Sequence, residues 1–565
     1  MRHFLLPFLF LLSACAVRKP VADPFNYTIQ KKAEAAHGAV VSAHPLATAV
    51  GVQIMQKGGN AFDAAIATQL ALAVVYPGAG NIGGGGFLVG RLANGTPVAL
   101  DYRETAPAAA HRDLYLDAQG NVDPVKSISG HVAGGVPGTV AGLFETQRYA
   151  KLSFRELIEP AIRLAENGFA ITENEASGLN HFRDSFLKYN TRPVAFVRDR
   201  TWKAGDTLRQ PELAATLRRI RDEGIQGFYG GETARLITEE MQRGGGIITA
   251  ADLQGYRAKW RTPLQFTYKG CTVLSMPMPS SGGTLLQQML TMTERYPLAS
   301  YGHNSAAAVQ LMTEVERRAY ADRAQFMGDA DFYPVPQQGL LDTNYLRARM
   351  RDYVPGKAGN SVSTGPGSPA RKVSEQTTHL SVIDAAGNAV SVTTTLNNAY
   401  GSKTLIGGAG FLLNDEMDDF SAKPGVPNLY GAVGGEANAI AAGKRMLSSM
   451  SPTIVLRDGK PWIVVGTPGG TTIPTSVFQT LVNIIDFGLD PEAAVNRPKF
   501  HHQWLPDLLY VEKDFPANVR RQLEEMGYTL DERGQIGRTE LILVAPDGRF
   551  TAVGDKRGDD TAAGF

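Results

Sequence analysis

Apolar and polar positions recur with different periods along this 565-residue chain, and the changes of period divide it. The first feature is an unbroken apolar run, Phe4 to Leu12, behind Arg2 and His3. A bilayer span needs about 20 residues, so this run is too short to cross one and is the right length for the core of an export signal. Further on, Ser42, His44 and Pro45 precede Leu46 to Lys57, with Gly58-Gly59 as a stop, which predicts a capped helix. Asn60 caps a second helix, Ala61 to Tyr76, with Asp63 in the first turn where the helix dipole favours an anion. This helix is apolar all round, so burial is expected. Val98 to Tyr102 reads as a strand running into Arg103 and Glu104, and residues 150 to 350 read as mainly helical, as in Phe154 to Asn167 and Ala306 to Met327.

Composition shifts at Pro355 to Ala370 to Gly, Pro and Ser, which predicts a mobile surface linker. Thr377 to Ile383 then alternates, Ala386-Gly387-Asn388 supplies a turn, and Ala389 to Leu396 alternates again. That is the pattern of a β-hairpin. With Asp384 opposite Ala389, Thr377 falls opposite Leu396 and between Thr395 and Asn397, to within one residue of register. Asn81 to Gly86 is a glycine run without a following Gly-Lys-Ser/Thr, so it predicts close backbone packing rather than a phosphate loop.

Composition narrows the function class. Fifty-six Lys and Arg stand against fifty-five Asp and Glu, too little excess charge to drive binding to a nucleic-acid backbone. Hydrophobic residues at 43% and charged residues at 20% suit a globular chain long enough to bury a large core. The only cysteines are Cys15 and Cys271, so no structural disulfide is expected once Cys15 is removed or modified. Cys271 is expected to be a buried, inert thiol.

The linker runs into the first hairpin strand at Gln376-Thr377. A threonine hydroxyl is a weak nucleophile and needs a base beside it; its own α-amino group, with an ordinary pKa near 7.7 to 8.0, would serve if the preceding bond were cut. A threonine that opens a strand is usually only that, so position alone carries little.

The surrounding string carries more. Thr377-Thr378-His379-Leu380-Ser381-Val382, Gly387-Asn388, Val390-Ser391, Thr393, Thr395-Leu396-Asn397 and Tyr400-Gly401 together resemble the signature of gamma-glutamyltransferases. The resemblance extends through Gly58 to Ala65, Asn81 to Phe87, Asp101 to Glu104, Pro279 to Gly283, Asn414 to Ser421, Leu447 to Pro452, Pro468 to Gly470 and Asp560 to Gly564. It implies an α+β fold, the four-layer αββα sandwich of the N-terminal-nucleophile hydrolases, built from a precursor that cuts itself between Gln376 and Thr377. Residues 15–376 would be the large subunit, ending in the linker at about 355–376, and residues 377–565 the small catalytic one, the two forming one fold. No cofactor and no metal are implied.

Residue by residue, the resemblance makes Thr377 the nucleophile and Thr395 its hydrogen-bond partner. Gly469 and Gly470 would supply backbone N–H groups to the oxyanion, a place that suits glycine because nothing obstructs the approach. Arg103 would clamp the carboxylate of the glutamyl group with help from Ser448 and Ser449, while Asn397, Glu416 and Asp419 would receive its ammonium. Tyr430, in Asn428-Leu429-Tyr430, would tip a lid loop spanning Pro424 to Ala437. Met446 and Thr467 depart from the residues common in the family, proline and serine. Substrates would be glutathione and other gamma-glutamyl compounds, with water, an amino acid or a peptide as acceptor. Leu12-Ser13-Ala14-Cys15 resembles a lipobox, which implies a signal of residues 1–14, lipid on Cys15 and a periplasmic or envelope location.

Two rivals remain. A cephalosporin or glutaryl acylase of the same fold would lack the ammonium contacts, which argues against it given Glu416 and Asp419. A non-catalytic exported binding protein would keep the chain uncut.

Overall fold

The computed structural model describes residues 23–369 and 379–565. Cys15, Gln376 and Thr377 therefore lie outside the described residues, as do the signal segment and the proposed cut itself. Fourteen strands form two seven-stranded sheets, antiparallel throughout. In chain order they are β1 (Lys32–Ala35), β2 (Gly38–Ser42), β3 (Gly85–Arg91), β4 (Pro97–Asp101), β5 (Lys259–Arg261), β6 (Leu264–Tyr268), β7 (Cys271–Ser275), β8 (Leu380–Asp384), β9 (Ala389–Thr395), β10 (Thr453–Arg457), β11 (Lys460–Gly466), β12 (Glu540–Val544), β13 (Phe550–Gly554) and β14 (Thr561–Gly564). One sheet runs β14-β2-β8-β9-β3-β4-β5 and the other β1-β13-β12-β11-β10-β7-β6.

Alternation along the strands assigns each side chain to a layer. Val382, Val390 and Val392 join the core under α1 (Pro45–Gln56), α2 (Ala61–Val75), α3 (Phe154–Asn167) and α4 (Pro211–Glu223). Ile383 and Ala389 point the other way, into the layer between the sheets, where they meet Ile454, Val464 and Ile542. The outer face of the second sheet packs on α5 (Ser281–Thr293), α6 (Ala306–Phe326) and α7 (Ile473–Ile485). The result is the αββα sandwich that the sequence implies, each sheet buried on both faces.

The helices follow their local signals. His44 Nδ1 accepts from the Leu46 N–H at 3.2 Å, and Pro45 occupies the first turn of α1. Asn60 and Asp63 form a reciprocal capping box on α2, every residue of which is buried. Cys271 is a free, buried thiol.

Three expectations change. The hairpin pairs Ile383 with Ala389 and Leu380 with Val392, one residue earlier than Asp384 opposite Ala389. At the turn Asp384 stays paired, its N–H donating to the Asn388 carbonyl at 3.1 Å, while its carboxylate accepts from the Asn388 N–H at 3.1 Å and from Asn388 Nδ2 at 2.8 Å, so Asn388 rather than Ala389 stands opposite it. The mainly helical stretch 150–350 also contains β5, β6 and β7, which supply an edge to each sheet. Finally, the segment read as a loose linker is fastened over its described part. Gly359 N donates to Glu314 at 2.9 Å, Ser361 N to Asp507 at 2.8 Å and Gly367 N to Asp322 at 2.9 Å. Two of those acceptors sit on α6, so loop backbone adds to the contacts that Glu314 makes with Arg317 and Arg318 and Asp322 with Arg349.

Candidate active site

A cleft with a cavity volume of about 150 Å³ opens at one end of the sandwich. Its wall is built from strand ends. Thr395 ends β9; the Ser448-Ser449 pair lies just ahead of β10; and Gly469 and Gly470 lie between the end of β11 and the start of α7. Asn397, Glu416, Asp419, Asn428 and Tyr430 complete the wall. The chain also enters β8 at this end, because β8 and β9 are antiparallel.

The glycine run explains how the elements approach so closely. A Cβ on Gly84 would lie 2.0 Å from the Thr395 carbonyl oxygen, and one on Gly85 would lie 2.6 Å from Glu104. Asn81 Nδ2 donates to that same carbonyl at 2.8 Å. Beyond Thr395 the backbone turns sharply: Asn397 has φ 74° and its N–H donates to Thr395 Oγ1 at 2.7 Å. Asn397 Nδ2 donates to the Asp415 carbonyl at 3.0 Å, which ties the strand end to the turn that carries the acids.

Those acids meet Arg103. Its Nη1 is 2.5 Å from Glu416 and 3.6 Å from Glu104, and its Nη2 is 2.6 Å from Asp419. Arg103 has no exposed surface and is not part of the cleft wall; it stands behind the two acids that are. Three carboxylates thus surround one guanidinium. Burial pushes Glu416 up to about 7, with Arg103 pulling the other way and Asp419 adding to the rise. Burial, then the charge of Glu416, holds Glu104 well above the ordinary carboxylate range. Asp419 is likewise raised by burial, against the pull of Arg103.

The opposite wall is built from hydroxyl and backbone groups, with Arg323 beside them. Gly469 has φ 140° and Gly470 φ 58°, conformations that side chains rarely adopt. A Cβ on Gly470 would lie 2.6 Å from the Tyr430 ring. The glycines precede α7 at its N-terminal end, where unpaired N–H groups and the helix dipole favour negative charge. Tyr430 bridges the two walls: its hydroxyl donates to the Asn397 carbonyl at 2.6 Å, and Asn428 Nδ2 reaches Asp419 at 3.2 Å. Met446 presents only its carbonyl, to Arg103 Nε at 3.4 Å, and Thr467 Oγ1 donates to the Pro468 carbonyl at 2.8 Å.

The structure therefore gathers Thr395, Asn397, Glu416, Asp419, Tyr430, Ser448, Ser449, Gly469 and Gly470 around one cleft and puts Arg103 behind it. Sequence reasoning missed Arg323, which also lines the cleft. In α6 it is one of several arginines with the look of a solvated helix face, and only the burial of α6 on nearly every side distinguishes it.

Comparison with known proteins places the chain as a whole. The glutathione hydrolase proenzyme of Escherichia coli strain K12 is 46% identical over 558 residues, covering 97% of this chain and 96% of its own. A crystal structure of Helicobacter pylori gamma-glutamyltranspeptidase matches at 43% identity and a TM-score of 0.57, covering 60% of this chain and 97% of that one. A cephalosporin acylase from Bacillus halodurans matches at 25% identity and a TM-score of 0.84, over 97% and 99% of the two chains. Residues 47–565 match the gamma-glutamyltranspeptidase family description. With that span covering most of its length, this chain belongs to the gamma-glutamyltranspeptidase family.

Proposed function

We propose that this protein is a glutathione hydrolase and gamma-glutamyltransferase that activates itself by cutting between Gln376 and Thr377. The observation that carries the reading is a cleft with two buried acids on one wall and paired hydroxyls with backbone N–H donors on the other. A gamma-glutamyl group has an ammonium and a carboxylate on one carbon and a carbonyl farther along, which is the complement of that arrangement.

In activation, Thr377 Oγ attacks the Gln376 carbonyl carbon, and the C–N bond breaks as the acyl group passes from nitrogen to oxygen. Water hydrolyses the ester and leaves a free Thr377 amine. In turnover that amine takes the proton of Thr377 Oγ as the hydroxyl attacks the γ-carbonyl. The oxyanion is held by the N–H groups of Gly469 and Gly470, and the leaving amine departs with the proton. Water, or the amine of an amino acid or peptide, then resolves the acyl-enzyme. Thr395 hydrogen-bonds the nucleophile. Asn397, Glu416 and Asp419 receive the ammonium, and Ser448, Ser449 and Arg103 the carboxylate. Arg103 reaches a bound carboxylate only by loosening one of its two short ion pairs.

Several observations support this. Thr377 precedes β8 by three residues in sequence, and β8 begins at the end of the hairpin where Thr395 closes β9. His379, two residues on, is buried between Ser381 Oγ at 2.6 Å and Ser391 Oγ at 3.1 Å, a firm anchor ahead of β8. The Helicobacter pylori chain is almost fully covered by 60% of this one, as a separate large subunit would be. The Escherichia coli relative is named a proenzyme. The acylase alternative draws on the Bacillus halodurans likeness, but a glutaryl group offers nothing for Glu416 and Asp419 to bind.

Two measurements test the reading. A denaturing gel should show two bands, and N-terminal sequencing of the smaller should begin at Thr377; one unbroken band after long incubation would favour the non-catalytic alternative. A gamma-glutamyl anilide should be hydrolysed in preference to a glutaryl anilide, and the reverse preference defeats the donor assignment. We further propose that residues 1–14 are an export signal and that Cys15 carries lipid in the envelope, which mass analysis of the mature N-terminus decides.

A further inference from the structure

The Ser448-Ser449 pair is held from behind by two residues that come earlier in the chain. Arg323, in the last turn of α6, is only 6% exposed and lines the cleft. Its Nε donates to Ser281 Oγ at 3.1 Å and its Nη2 to Ser449 Oγ at 3.3 Å. Ser281, at the start of α5, in turn donates its hydroxyl to the Ser448 carbonyl at 3.0 Å. One guanidinium thus braces both serines, one through its hydroxyl and the other through its backbone.

The charge of Arg323 is unusual for its depth. Three other buried arginines lie in short ion pairs, Arg103 with Glu416 and Asp419, Arg318 with Glu314 and Asp352, Arg445 with Asp101, whereas Arg91 is held by backbone carbonyls and does not line the cleft. Among the described residues no carboxylate lies within ion-pair distance of Arg323, and Asp419 attracts it only at longer range. Burial accordingly pulls its pKa down. A desolvated cation without a paired anion is costly, and the open space it faces is the cleft.

We propose that Arg323 is a positioning residue for the carboxylate half of the donor: it aims the Ser449 hydroxyl, steadies Ser448 through Ser281, and supplies the positive charge that an incoming α-carboxylate neutralises. The inference rests on the gamma-glutamyl reading of the cleft and adds to it a residue that touches the site from the large-subunit side. A planar fork suits the task, because two of its nitrogens are already committed to Ser281 and Ser449 in fixed directions.

The test compares release of nitroaniline from gamma-glutamyl-4-nitroanilide and from 4-aminobutyryl-4-nitroanilide, which is the same donor without its α-carboxylate. Arg323→Ala should raise KM for the first by about tenfold to a hundredfold, the usual range for losing a charged hydrogen-bond partner, with kcat changed by less than about threefold. The second donor should change by less than about threefold in kcat/KM, since it has no carboxylate to lose. Because Arg323 acts through Ser449, the Arg323→Ala/Ser449→Ala double variant should cost less than the two single losses combined. An unchanged KM, equal losses on both donors, or additive losses in the double variant would each overturn the proposal. If Arg323→Ala does not fold or is not cut, the same comparison on Arg323→Lys and Arg323→Gln decides: Lys keeps the charge without the fork and should lose less than Gln on the carboxylate donor alone. A wild-type enzyme inactive on gamma-glutamyl-4-nitroanilide overturns the donor reading together with this proposal, whereas an active wild type with an unaltered variant overturns this proposal only.

Discussion

The two walls of the cleft solve the problem of buried polarity in opposite ways. On the acid wall, Glu416 and Asp419 grip Arg103 at 2.5 and 2.6 Å, with Glu104 behind, so the charges answer one another before any ligand arrives. On the facing wall the groups are hydroxyls and backbone N–H donors, and Arg323, which lines the cleft beside them, has hydroxyls for partners. The first wall holds its geometry through mutual charge and answers to pH. The second holds its geometry through backbone conformation and answers to sterics. On the proposed function, a ligand with both charges on one carbon would sit between them with its acyl carbon toward the glycines.

The largest expected effect separates chemistry from both walls. Thr377→Ala should abolish cutting and turnover while leaving the walls intact, so the purified chain should still bind glutamate by calorimetry. Residual turnover in an uncut chain would break the scheme. Next, Gly470→Ala strikes the facing wall alone: its Cβ would meet the Tyr430 ring at 2.6 Å in a backbone conformation with φ 58°. We expect kcat to fall by roughly a hundredfold to a thousandfold, the scale of losing one oxyanion donor, with a smaller change in KM. Steady-state kinetics on the anilide checks the split.

Arg103→Ala strikes the charged wall. It leaves Glu416 and Asp419 buried against each other, so donor affinity should drop by about 1.5 to 3 kcal/mol in a KM measurement, and thermal unfolding should come earlier. An unchanged KM would end the assigned role of Arg103. The smallest effect is a pH response. Glu416, faced by Arg103, Asp419 and Glu104, is pushed up to about 7 by burial, so its proton is lost only as pH rises through that value. The ionised form attracts the donor ammonium. KM should therefore rise as pH falls, by roughly tenfold between pH 8 and pH 6, and Glu416→Gln should flatten that profile. The same raised pKa means that ionising Glu416 costs stability in the folded chain, a cost absent at pH values below the ordinary carboxylate range and incurred as pH rises toward 7.

Much of this was legible in the sequence because it is local. The caps at His44 and Asn60, the all-apolar α2, the turn at Gly387-Asn388 and the glycine run after Asn81 are decided by a few neighbouring residues and the backbone they permit. The motif string likewise named residues that the fold gathers around the strand ends. The one-residue slip of the hairpin was not legible, because it follows from how Asp384 spends its carboxylate on Asn388.

Tertiary structure decided the rest, since charge balance in a buried site depends on distances between elements far apart in the chain. Nothing local to Arg103 says that it would be sealed behind Glu416 and Asp419, more than three hundred residues later. Nothing local to Arg323 separates it from the other arginines of α6, yet the fold aims it at Ser449 and leaves it without an anion. Sequence named most of the groups that line the cleft; the packing of two sheets between helices determined which of them face it, which stand behind it, and which carry a proton, because only the folded arrangement sets the solvation and neighbours on which a charge depends.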